Sequence, residues 1–108
     1  MISMARVWKY QLTIQVPIAS LGDFDRLVAA EERMAESLKG VADVQGHDSG
    51  SGEGNIFIHT DTPGDHVHTA IQCLEEHVRD EAKAAYREVE GAAYTILWPP
   101  GLSDFRVI

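Results

Sequence analysis

Basic residues are scarce in this chain. Nine Lys and Arg face seventeen Asp and Glu, a formal net charge of −8. Nucleic-acid binding rests on neutralising phosphates with Lys and Arg, so that class is excluded, while a basic protein partner is permitted without being required. Cysteine is nearly absent: Cys73 stands alone, which excludes an internal disulfide and fits a reducing cytoplasm. No apolar run approaches the roughly 20 residues of a membrane span. The N-terminal MISMARVWKYQ has no apolar signal core and alternates like a strand, so export is not expected. Repeats and low-complexity segments are missing too. What remains is ordinary for a globular protein, with 44% apolar and 24% charged residues in 108. One domain over 1–108 is expected, large enough to bury about two-thirds of its unfolded surface.

The stretch Gly46–Asp61, GHDSGSGEGNIFIHTD, organises the rest. Its glycines free the backbone for the positive φ of a tight or bulged hairpin, and Asp48, Ser49 and Ser51 can fix the turn through their own backbone. The same exposed amides suit an anion. No helix is expected to follow the glycines, and no Gly-Lys-Ser/Thr is present, so phosphate-loop and dinucleotide readings fail on context. The hairpin is the simpler reading.

Taken in order, Arg6–Val16 alternates, with Trp8, Tyr10, Leu12, Ile14 and Val16 on one side and Lys9, Gln11, Thr13 and Gln15 on the other. That period of two predicts a half-buried strand, ended by Pro17. Ser20 with Asp23 predicts a capping-box helix start, and Phe24, Leu27, Val28, Met34, Ala35 and Leu38 predict a helical stripe over about 21–39, closed by Gly40. Glu31 interrupts that stripe. Val41–His47 and Asn55–Asp61 alternate again and predict a hairpin. Thr62 as N-cap and Pro63 at the first helical position predict a second helix with Val67, Ala70, Ile71, Leu74 and Val78 buried and a Glu75–Arg79 pair outside, ending within 79–85. Residues 84–89 read as a short further strand, or as the last helical turn; the turn-like Val89-Glu90-Gly91 favours the strand. Tyr94–Trp98 is a strand stopped by Pro99-Pro100, and Phe105, Val107 and Ile108 are too apolar to be left free. The fold class is α+β, a ferredoxin-like β-α-β-β-α-β plait with both helices on one face of an antiparallel sheet.

Alternation then assigns the open face: Lys9, Gln11, Thr13 and Gln15; Asp43, Gln45 and His47; Asn55, Phe57, His59 and Asp61. Pairing like faces sets His47 opposite Asn55, Gln45 opposite Phe57 and Asp43 opposite His59. Asp43 beside His59 would raise and orient the imidazole, as a general base requires. The bland counterpart is a wet or dimer-buried face. Glu31, the second candidate, must be paired, protonated or open to water, with Tyr10, Trp8 or His77 as possible partners; a structural glutamate or a slightly rotated helix explains it equally. Lys9, Gln11, His47, Asp48, Asn55 and Asp61 complete the candidate binding set. No metal site is expected: His66 and His68 are two apart on a helix, their rings about 200° apart, and paired ligand spacing is missing. No cofactor is expected.

GHDSGSGEGNIFI (46–58) and YTILWPPGL (94–102), together with W-K-Y at Trp8–Tyr10 and D-F-D-R-L at Asp23–Leu27, resemble a family of small, uncharacterised bacterial proteins. The resemblance implies a bacterial, cytoplasmic, ferredoxin-like protein and carries over no catalytic residue. The first reading is therefore a non-enzymatic binding or regulatory protein, homodimeric, working through the open face and the 46–54 loop. Two alternatives stand beside it: a small-molecule enzyme using Asp43 and His59, with Lys9 and Glu31 in support, and an immunity-type protein masking a basic toxin.

Overall fold

Strict alternation of apolar and polar residues makes Tyr10–Pro17 the first strand, β1, whose Leu12, Ile14 and Val16 are buried. The structure is a computed structural model that describes residues 7–107, so Arg6 and Ile108 lie outside it; the strand expected from Arg6 onward starts only at Tyr10, Val7–Lys9 being irregular. After β1 come α1 (Leu21–Ser37), β2 (Asp43–Gly50), β3 (Glu53–Thr60), α2 (Pro63–Gln72), the short α3 (Glu76–Arg79), β4 (Lys83–Glu88) and β5 (Thr95–Trp98). Among the described residues the protein is thus α+β, with three helices and one open five-stranded sheet in the order β2-β3-β1-β4-β5, every pairing antiparallel. The β-α-β-β-α-β order is extended rather than clean: the further short strand expected at 84–89 is there, and α3 is an added helix. Residues 83–88 form a full strand beside β1, and Thr95–Trp98 is added outside it as a fifth.

α1 starts as its sequence dictates. Ser20 Oγ accepts from the Asp23 N–H at 3.1 Å, and Asp23 Oδ2 accepts from the Ala19 N–H at 2.9 Å. Its buried residues are Leu27, Ala30 and Met34, with Leu38 just beyond its end. Ala35, expected on the stripe, is exposed and Ala30 takes its place. That rotation moves Glu31 to the flank facing β2.

The second helix breaks where the sequence reads as continuous. Arg79 Nε and Nη2 donate to the carbonyls of Leu74 and Gln72, and Arg33 Nε to that of Cys73. These charged donors satisfy the orphan carbonyls of a helix C-terminus and stabilise the end of α2 there. Arg79 is therefore not the partner of Glu75, which instead lies 3.6 Å from His77 and 3.9 Å from Arg26. Thr62 holds the N-cap position without capping; its Oγ1 is 3.1 Å from His66 Nε2.

Both longer helices pack on one side of the sheet, over Leu12, Ile14, Ile56, Ile58 and Ala84, with Met34, Ala70, Ile71, Leu74 and the thiol of Cys73 in the same core. On the other side β1 is not open as expected: Gln15 and Asn55 are only 3% and 2% exposed, and Thr13 and Ala85 are fully buried. The reason is the C-terminal segment. Phe105 is 8% exposed and lies 5.0 Å from the Tyr94 ring, and the Arg106 carbonyl accepts from Gln15 Nε2 at 2.7 Å. Among the described residues no helix is long and apolar enough to cross a membrane.

Candidate functional site

The glycine-rich stretch folds into a hairpin whose two turn residues, Ser51 and Gly52, both have positive φ (55° and 80°). That pair of values matches the right-handed twist of the flanking strands. The expected 46–54 loop is therefore mostly strand, with a two-residue tip. Within β2, Asp43 pairs with His59 and Val44 with Ile58, but Gly46 pairs with Phe57 and His47 with Ile56. Gln45 is the extra residue of a β-bulge, made possible by Gly46 at φ 149°. Beyond a bulge the side chains of a strand exchange faces.

This bulge corrects the expected register. His47 does not lie opposite Asn55 on the open face; it turns to the helix side, and Asp48 takes the place opposite Asn55. There His47 Nδ1 is 3.0 and 3.1 Å from the two oxygens of Glu31, with the Phe24 ring edge-on at 5.5 Å. The two side chains are 28% and 18% exposed. Glu31 is thus paired, and by His47 rather than by Tyr10, Trp8 or His77. Because both groups retain contact with water, the pair is worth little more than an ordinary hydrogen bond. Glu31→Ala is expected to cost about 1 kcal/mol, nearly all of it as coupling to His47→Ala in a double-mutant cycle followed by urea unfolding. A coupling near zero would mean that the two are merely adjacent.

On the face opposite the helices, β1 and β3 keep the expected set. Asp43, His59, Gln11 and Arg87 form a row across β2, β3, β1 and β4. His59 Nε2 donates to Gln11 Oε1 at 3.0 Å, while Asp43 Oδ2 accepts from Gln45 Nε2 at 2.7 Å. Asp43 and His59 are neighbours, each hydrogen-bonded through one atom to a glutamine rather than to the other. Arg87 Nη1 reaches the carbonyls of Glu88, Val89 and Gly91 and braces the β4–β5 turn. Next along the sheet, half-buried Phe57 stands between Thr13 and Gly46. Beyond it Asp48 Oδ1 accepts from Asn55 Nδ2, and Asn55 Oδ1 from Gln15 Nε2, both at 2.9 Å. Lys9 and Asp61 lie past the strand ends, joined by the Lys9 N–H to Asp61 Oδ1 at 2.9 Å. The Lys9 ammonium sits 5.2 Å from the centre of the Tyr10 ring, and contact with Tyr10, then Glu88 and Asp61, raises its pKa.

Burial decides the charge of His59. It pushes the imidazole below the ordinary 6.5, outweighing the opposite pull of Asp43, and Arg87 adds to the depression. The ring is neutral at pH 7. A depressed imidazole releases its proton in the fold while the unfolded chain still holds one, so its contribution is complete above the unfolded value and is lost as pH falls below about 6.5. In an NMR titration His59 is expected to protonate below the free imidazole value, and Asp43→Asn to lower it further. A midpoint above 6.5 would mean that Asp43, not burial, governs the ring.

Two features gave little sequence signal: Arg87, whose place in the row depends on β4 pairing with β1, and an apolar hollow beside Trp98, visible in sequence only as a tryptophan before Pro-Pro. Cavities of about 360 Å³ beside Tyr10 and Tyr86 and about 390 Å³ beside Trp98 are not lined by His59 or Asp43. Among the described residues no group of three or more His, Cys, Asp or Glu is placed to hold a metal ion. Comparison with protein-family models, curated proteins and solved structures finds no match.

Proposed function

We propose that this chain is a cytoplasmic binding protein of the ferredoxin-like plait class, working as a homodimer through the part of its sheet face that carries Gln11, Phe57 and His59. The plait reading is supported by the strand order β2-β3-β1-β4, with both longer helices on one side and β5 appended at the edge. The motifs at 46–58 and 94–102 are the basis for placing it with small bacterial proteins of the same build.

The observation that carries the binding role is the state of the side chains on this face. Gln11 holds His59, Gln45 holds Asp43, and the turn carbonyls hold Arg87. Groups fixed to one another form a preorganised surface that loses little entropy on association. Phe57 lies at its middle, beside the empty space over Gly46. A half-buried aromatic ringed by ordered polar groups is the usual composition of an interface centre. Acid–base catalysis is the weaker reading, since Asp43 makes no hydrogen bond to His59 and the ring already donates to Gln11.

Sedimentation velocity tests the proposal. The unaltered protein is expected to run as a dimer and Phe57→Asp as a folded monomer, its circular dichroism unchanged. A monomeric parent, or a variant that stays dimeric, refutes it.

A further inference from the structure

The helix side of the sheet is incompletely filled at its β5 edge. Val67 and Ile71 of α2, Trp98 at the end of β5 and Pro99 form the apolar walls of a cavity of about 390 Å³, with Arg79 and His68 at its rim. The volume falls within the roughly 300–1,000 Å³ typical of small-molecule sites, and an apolar lining with a few convergent polar groups is their usual makeup. Trp98 is 37% exposed, a large indole left against an apolar hollow. Such a surface gains most from a flat partner ring.

The rim selects charge. Arg79 is half-buried, and its guanidinium is held by two carbonyls, Nε on Leu74 and Nη2 on Gln72, each at 3.0 Å. Nη1 takes part in neither bond. A guanidinium fixed in this way has already lost its rotamer freedom, so an anion meeting it incurs little ordering cost. Asp80 also borders the cavity but is exposed, and an exposed charge is screened more strongly than a half-buried one. The local field therefore favours an anion even though the chain as a whole is acidic. Gln72 and His68 add hydrogen-bonding capacity at the same rim.

We propose that this cavity is a binding site for a small planar apolar molecule bearing one carboxylate, with its ring against the Trp98 indole and its carboxylate on Arg79. The site lies on the side of the sheet opposite the proposed dimer surface and does not depend on it.

Naphthoate and its neutral counterpart naphthalene methanol serve as probes, titrated into the intact protein and followed by amide and indole NMR. Naphthoate is expected to give saturable shifts at the Trp98 indole N–H and at the Val67 and Ile71 amides, and to bind about tenfold more tightly than the alcohol. Trp98→Ala should weaken both probes about tenfold. Arg79→Gln should remove the preference for naphthoate and leave the alcohol unchanged. Because Arg79 also holds the end of α2, Asp80→Asn provides a second variant that leaves those bonds in place; it should bind naphthoate equally or more tightly. The proposal is overturned if no saturable shift appears at Trp98, if the shifts map to the Tyr10–Tyr86 cavity, if the two probes bind equally, or if Asp80→Asn weakens naphthoate.

Discussion

Gln15→Leu is expected to destabilise the protein by about 3 kcal/mol and to release the C-terminal segment. Gln15 is buried, and its Nε2 serves two acceptors, Asn55 Oδ1 at 2.9 Å and the Arg106 carbonyl at 2.7 Å. Leucine nearly preserves the volume, so the loss is not a cavity. It is the desolvation cost of two acceptors with no donor, about 1–3 kcal/mol each when buried. The Arg106 carbonyl can escape to water by lifting the tail, but Phe105 would then leave its seat beside Tyr94. Asn55 Oδ1 lies within the sheet and has no such route. The variant should show a lower guanidinium midpoint at nearly unchanged slope, and faster proteolysis within 101–107. A midpoint change worth less than about 0.5 kcal/mol would mean that Phe105 and Tyr94 hold the tail without help from the polar chain.

The same network explains which parts of the fold could be read in advance. Side-chain alternation located β1 and β3 and put Gln11, Thr13, Gln15, Asn55, Phe57 and His59 on one face, because a period of two depends only on local backbone geometry. The turn at Glu90-Gly91 likewise marked β4 and β5, and the Gly91 N–H does close on the Glu88 carbonyl at 2.9 Å. Alternation could not reveal the bulge at Gln45, since one extra residue leaves the pattern on either side looking regular while exchanging the faces. His47 was misplaced for that reason, and with it the partner of Glu31. Gly46 was the sole local sign. The break after α2 was hidden differently: Cys73-Leu74-Glu75 has no helix breaker, and α2 ends there with its terminal carbonyls satisfied by Arg79 just past the break and by Arg33 of α1. Burial of Thr13, Gln15 and Asn55 was equally out of reach, since it depends on where the tail returns, a contact spanning 91 positions between Gln15 and Arg106. Burial also reversed the expected effect on His59. The neighbouring carboxylate was legible, but the loss of water around the ring was not.

Gly54→Ala is expected to cost about 2 kcal/mol, although alanine ordinarily improves on glycine in a strand. Gly54 pairs with Val16 of β1 and Ser49 of β2 and faces α1. A Cβ built there would come within 2.8 Å of Ile18 Cγ1, 2.9 Å of Leu27 Cδ2 and 3.0 Å of Ile18 Cδ1. Leu27 Cδ2 has little room to retreat, and the half-buried Ile18 must turn its side chain away from an anchored backbone. Leu27 is buried in the core, and the Ile18 backbone is pinned by its N–H to the Gly52 carbonyl at 2.8 Å. The reduced freedom of the unfolded chain returns about 0.5–1 kcal/mol, which does not offset overpacking of up to about 3 kcal/mol. Ile18→Ala removes two of the three obstructing atoms. In that background the further cost of Gly54→Ala should fall to about 1 kcal/mol, read as the difference in guanidinium midpoints at equal slope. An undiminished cost would place the obstruction at Leu27 alone and make α1, not the β1–α1 connection, the element whose close approach to the sheet requires glycine at this position.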